Sequence, residues 1–166
     1  MALFEEAERD AEYERARKRA MYLLGSRPYS TAALREKLLN NYSEETADRV
    51  IEDMTRYGFL DDEDYARRLA ASIIKGKKYG LHRAKAEMRR KGVPDELMEQ
   101  ALGEYSREDM TDSLIELVRK KYSDRIYDRG ERQKIIAALA RRGYGFGEIK
   151  AAITAVLEET EEEEQL

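Results

Sequence analysis

Histidine occurs once in this 166-residue chain, at His82, and cysteine does not occur. No neighbour in sequence gives His82 the acid and nucleophile of a catalytic triad, so it reads as a surface residue at the start of a short helix. Without thiols there is neither a disulfide framework nor a thiolate metal site. The run Asp61-Asp62-Glu63-Asp64 offers carboxylates, but successive helix positions point to different faces, and capping accounts for acids at a helix start. No Gly-x-x-x-x-Gly-Lys-Ser/Thr loop is present. Gly143-Tyr144-Gly145-Phe146-Gly147 lacks the preceding strand of a nucleotide loop and is expected to form a helix–helix turn. The expectation is a non-enzyme that uses no metal and no cofactor.

Charge is what remains. Between positions 67 and 91 stand Arg67, Arg68, Lys75, Lys77, Lys78, Arg83, Lys85, Arg89, Arg90 and Lys91 against one acid, Glu87. A solvated helix face is the bland explanation. The imbalance of sign favours a surface for phosphate or for an acidic protein. The net charge of −4 hides this, because residues 1–14 carry six acids and only Arg9, and residues 158–166 carry six glutamates and no base. Residues 15–157 hold 30 bases and 23 acids. The tail 158–166 is expected to be a solvated, disordered end that can also compete with nucleic acid for the basic face. Tyr122 and Tyr127 are weak candidates for contact with a partner or single-stranded nucleic acid.

Helices must position these charges. Apolar residues recur at helical spacing, only two prolines occur, and 40% of residues are charged, so the chain is expected to be all-α. No apolar run approaches the roughly 20 residues of a membrane span, and no secretory leader is apparent, so a cytoplasmic monomer without a membrane partner is expected. One long helix is expected from about Phe4 to Ser26, then helices capped by Ser30 and Ser43, the last closed by Gly58. Asp61 caps the next with Asp64 at its third position, and Leu60 and Tyr65 have the spacing of a hydrophobic staple. Gly92 and Gly143 close later helices, Pro94 suits a first helical position, and Ser106 pairs with Asp109 as a cap.

The chain repeats. Ala16, Ala20, Leu23, Leu24, Tyr29, Leu34 and Leu38 match Ala66, Ala70, Ile73, Ile74, Tyr79, Ala84 and Met88 at a constant offset of 50. Tyr144, Ile149, Ala152 and Ile153 match Val93, Met98, Ala101 and Leu102 at an offset of 51. The connection after Val118, through residues 120–128, is seven residues longer than its counterpart. Three tandem three-helix repeats forming an elongated, curved array follow from this period. The expected units are 1–57, with an acidic extension, 58–105, the basic unit, and 106–157, followed by the acidic tail 158–166.

At this point a likeness emerges. Gly58-Phe59-Leu60-Asp61-Asp62-Glu63-Asp64-Tyr65-Ala66 resembles the signature of the RecX family of bacterial recombination regulators, as do Lys78-Tyr79-Gly80 and Met88-Arg89-Arg90-Lys91-Gly92-Val93. Tyr29-Ser30 with Leu34-Arg35-Glu36-Lys37-Leu38 resembles the family's first-repeat motif. The likeness covers roughly residues 15–157, is specific in two repeats, and loosens in the third at the long connection. It implies a modulator of the RecA recombinase, in homologous recombination, DNA repair and the SOS response. Such a protein lies in the groove of the RecA–DNA filament and restrains ATP hydrolysis, strand exchange and filament growth. The implied partners are the RecA nucleoprotein filament and single- or double-stranded DNA, with the ten cations named above as the contact surface. Two alternatives stay open: a helix-turn-helix-like nucleic-acid module without RecA specificity, and a helical scaffold for another acidic protein.

Overall fold

Side chains and glycines set where each helix begins and ends. The structure, a computed structural model, describes every residue from Met1 to Leu166 and holds nine α-helices and no strand. They are α1 (Ala2–Ser26), α2 (Thr31–Leu39), α3 (Glu44–Arg56), α4 (Asp62–Ala71), α5 (Leu81–Arg90), α6 (Asp95–Leu102), α7 (Arg107–Tyr122), α8 (Arg129–Arg141) and α9 (Phe146–Glu164). A π-helical turn, Ser72–Gly76, extends α4. Ser30, Ser43, Asp61, Ser106 and Asp128 each accept the amide three residues on, at 2.9–3.3 Å. Each such cap stabilises its helix by about 1 kcal/mol.

Gly58, Gly92 and Gly143 stop helices with φ of +80°, +83° and +95°. After each, the next amide reaches back five residues: Phe59 to Met54, Val93 to Met88 and Tyr144 to Leu139, at 2.9, 3.1 and 3.3 Å. That is the Schellman closure, which needs a left-handed residue at the glycine. Pro94 sits one position earlier than expected, as the N-cap of α6, where its extended ψ of 142° precedes the helix.

Three separate apolar cores follow. The first gathers Ala16, Ala20, Leu34, Leu38, Val50 and Met54; the second Ala66, Ala70, Ile73, Met88 and Met98; the third Leu114, Val118, Ile135, Leu139 and Ile149. Leu60 is buried in the first core while Tyr65 packs on the second, so this pair spans the boundary between the two units. All extensive helix-on-helix packing lies within one triplet, α1–α3, α4–α6 or α7–α9. The chain exposes 11003 Å². A compact globule of its mass would expose about 8,500 Å². The excess is that of an elongated array of three-helix units.

Two expectations change. Residues 158–164 are helical, the end of α9, because glutamate is a good helix former and Arg119 of α7 holds Glu159 with two bonds of 2.9 and 2.7 Å. Tyr122 is buried in the third core, since α7 continues four residues past Val118; Tyr127 stays exposed.

Candidate functional site

The units meet through two short junctions, and the cations converge there. At the first, Ser30 Oγ donates to the Lys91 carbonyl at 2.6 Å, and the Thr31 amide donates to Asp62 Oδ1 at 2.8 Å. At the second, the Gly80 amide donates to the Arg142 carbonyl at 2.8 Å, and the His82 amide to the Gly143 carbonyl at 3.3 Å. Ser30 and Gly80 are repeat-equivalent, as are Lys91 and Arg142. The start of the second helix in one unit therefore docks on the end of the second helix in the next, twice in the same register.

The second junction is the tighter. A Cβ on Gly80 would lie 2.5 Å from the Gly143 carbonyl carbon, so backbone meets backbone. Tyr144 Oη donates to the Lys78 carbonyl at 2.8 Å, and Arg142 to the Lys77 carbonyl at 2.9 Å. Burial pushes the Tyr144 phenol up to about 12. Lys78 presents its carbonyl from a left-handed conformation, φ 58°.

Each junction carries the same cationic set. Arg27, Arg90 and Lys91 surround the first, beside Pro28, Tyr29 and Tyr65. Lys77, Arg141 and Arg142 occupy the equivalent positions at the second. Arg27 lies 4.5 Å from the centre of the Tyr29 ring, and Lys77 lies 5.6 Å from that of Tyr79. Arg83 at 3.9 Å and Arg142 at 5.9 Å complete the cations around Tyr79. A cleft of about 730 Å³ opens at the first junction, between Leu24–Tyr29, Gly58–Phe59 and Tyr65–Leu69, with Arg68 and Lys91 on its wall.

The sequence-derived cations do not form one sheet of charge. Arg67 and Arg68 pair with Asp64 at 3.2 and 2.8 Å. Lys77 and Arg83 share Glu87 at 3.3 and 3.5 Å, which leaves that cluster net positive. Lys85 and Arg89 turn to α6, toward Glu99 and Asp95. Lys75 lies in a cleft with Glu104, Asp109, Asp112 and Glu116. Lys78, Arg90 and Lys91 form no close ion pair, although Lys78 lies near enough to Glu116 to favour its charged form. Apart from the two made to the buried Glu87, the ion pairs of this set are exposed and contribute little to stability. Three of the four acids at 61–64 are occupied: Asp61 caps α4, Asp62 accepts Thr31, and Asp64 holds the two arginines. No group of three or more metal-ligating side chains is assembled. Arg27, Arg141 and Arg142 join the surface from outside the basic run. The repeat register held their signal, since they align with Lys77, Arg90 and Lys91.

Family models of the first, second and third three-helix domains of RecX match residues 16–54, 61–102 and 107–153. A regulatory protein RecX from Prosthecochloris aestuarii is 31% identical over 153 residues, covering 89% of this chain and 97% of its own. The chain belongs to the RecX family. Another RecX, from Trichlorobacter lovleyi, is 35% identical over 130 residues, covering 75% of this chain and 84% of that protein. The crystal structure of RecX from Lactobacillus salivarius superposes with a TM-score of 0.78 at 19% identity, over 89% of this chain and 97% of that one. That likeness speaks for the fold. No helix is long and apolar enough to cross a membrane.

Proposed function

We propose that this chain is a non-catalytic regulator that binds the RecA–DNA filament and inhibits the recombinase, including its ATP hydrolysis. The observation that carries this reading is the cationic set repeated in register at both junctions. A filament presents the same carboxylates and phosphates at a fixed period, and a rigid array with equivalent cations one unit apart engages successive copies at once. Linked contacts of this kind raise affinity through effective concentration. Inhibition follows when the bound array favours one filament state, because a ligand shifts an equilibrium only by its differential affinity.

The contact surface in this reading comprises Arg67, Arg68, Lys77, Lys78, Arg83, Arg90 and Lys91 with Arg27, Arg141 and Arg142. Lys85 and Arg89 stand apart, paired with acids of α6, and Lys75 lies apart in the acidic cleft that Glu104 forms with Asp109, Asp112 and Glu116 of α7. The test is a triple reversal, Arg27→Glu, Arg90→Glu and Arg141→Glu, at exposed positions without ion pairs. It should raise the protein needed for half-inhibition of RecA more than tenfold at unchanged far-UV circular dichroism. Undiminished inhibition removes the junction cations from the account.

A further inference from the structure

Helix α1 carries an exposed stripe that makes no ion pair and no hydrogen bond through its side chains, although Glu8 and Arg15 border a cleft with Asn41 and Tyr42. Ala16, Ala20 and Leu23 face the first core. On the far side, Phe4, Glu8, Ala11, Arg15, Lys18 and Tyr22 follow one another at alternating steps of four and three, the spacing that keeps a stripe on one face. All six are exposed, Phe4 at 82% and Tyr22 at 70%. The helix is also polar along its length, with six acids and only Arg9 in residues 1–14, then Arg15, Arg17, Lys18 and Arg19 without an acid.

We infer that this stripe is the interface of an antiparallel dimer, with α1 of a second copy as the occupant. Reversing the helix places Phe4 opposite Tyr22, Glu8 opposite Lys18 and Ala11 opposite Arg15 of the second copy, and the two-fold axis repeats each pair. On the stripe the opposite charges that meet are Glu8 and Lys18, twice by symmetry, and around them the acid-rich residues 1–11 of one helix lie along Arg15, Arg17, Lys18 and Arg19 of the other. A parallel pair would instead stack Glu8 on Glu8 and Lys18 on Lys18, at a cost. The aromatic pairs at the two ends supply the apolar area and the central charges set the direction, as in paired helices generally. Two arrays held back to back would replace the expected monomer.

The absence of cysteine makes the test direct. In sedimentation equilibrium the mass should rise from one chain to two as concentration passes through the micromolar range. Phe4→Ala with Tyr22→Ala should weaken that association at least tenfold. Lys18→Glu should weaken it, and Glu8→Lys added to Lys18→Glu should restore it. Under mild oxidation, a mixture of the Phe4→Cys and Tyr22→Cys single variants should form the mixed disulfide. Phe4→Cys alone should not cross-link, since antiparallel pairing holds its two copies about 27 Å apart. A single-chain mass at every concentration overturns the proposal, as does failure of the charge swap to restore association or preferential self-linking of Phe4→Cys.

Discussion

Replacing Gly143 by alanine separates local backbone strain from the work of the second junction. Gly58 and Gly143 share a left-handed φ, +80° and +95°, so alanine at either carries a similar strain of about 1–2 kcal/mol. Their surroundings differ. A Cβ at Gly58 meets nothing within 4 Å, whereas one at Gly143 would stand 2.5 Å from Arg83 Cβ and 3.0 Å from Arg83 Cα. The backbone of α5 cannot give way locally, so the overlap is relieved only by parting the two units. Parting them removes the Gly80–Arg142 and His82–Gly143 backbone bonds and strains the Tyr144–Lys78 and Arg142–Lys77 bonds beside them. At about 0.5–1.5 kcal/mol net for each bond, Gly143→Ala should cost about 2–4 kcal/mol more than Gly58→Ala. Urea unfolding gives the difference, and hydrogen exchange at the Gly80 and His82 amides locates it. Equal destabilisation by the two variants, with both amides still protected, would refute the junction as a structural element.

Three further outcomes follow from particular groups. Ser30→Ala removes both the cap on Ala33 and the bond to the Lys91 carbonyl, and should cost about 1–2 kcal/mol by chemical denaturation. Burial raises the Tyr144 phenol from 10.0 to about 12. The unfolded chain therefore loses its proton first, and stability present below pH 10 should fall as pH rises toward 12; Tyr144→Phe should flatten that part of the curve. The Thr46 hydroxyl, foremost, and the Ser43 amide hold the Glu12 carboxyl below its ordinary value of 4.5. That contribution is present above pH 4.5 and is lost as pH falls through the depressed value, so Glu12→Gln should lessen the loss of stability on acidification.

Most of the fold was legible because it rests on local chemistry. The caps at Ser30, Ser43, Asp61 and Ser106, the glycine closures at 58, 92 and 143, and the offset that aligns Ala16–Leu38 with Ala66–Met88 all need only near neighbours and period. The junctions were not legible as contacts. Gly80 and Gly143 are 63 positions apart and meet backbone to backbone, leaving no side-chain pattern to read. Pairing of the charges was hidden too: whether Lys85 finds Glu99, or Lys75 an acidic cleft, depends on how α5, α6 and α7 pack. The tail was misjudged from composition, because Arg119, 40 residues before Glu159, is what anchors it. Arg27, Arg141 and Arg142 stood in the repeat register throughout, and aligning the charges as well as the apolar positions would have found them.

The most direct test of the regulatory account is ATP hydrolysis by the cognate RecA on single-stranded DNA, titrated with this protein far below one copy per recombinase. Inhibition at such ratios is predicted, because each array acts on a filament rather than on one protomer. Full hydrolysis at those ratios, with binding to bare DNA that weakens steeply with salt, would contradict the account and leave a nucleic-acid module without RecA specificity.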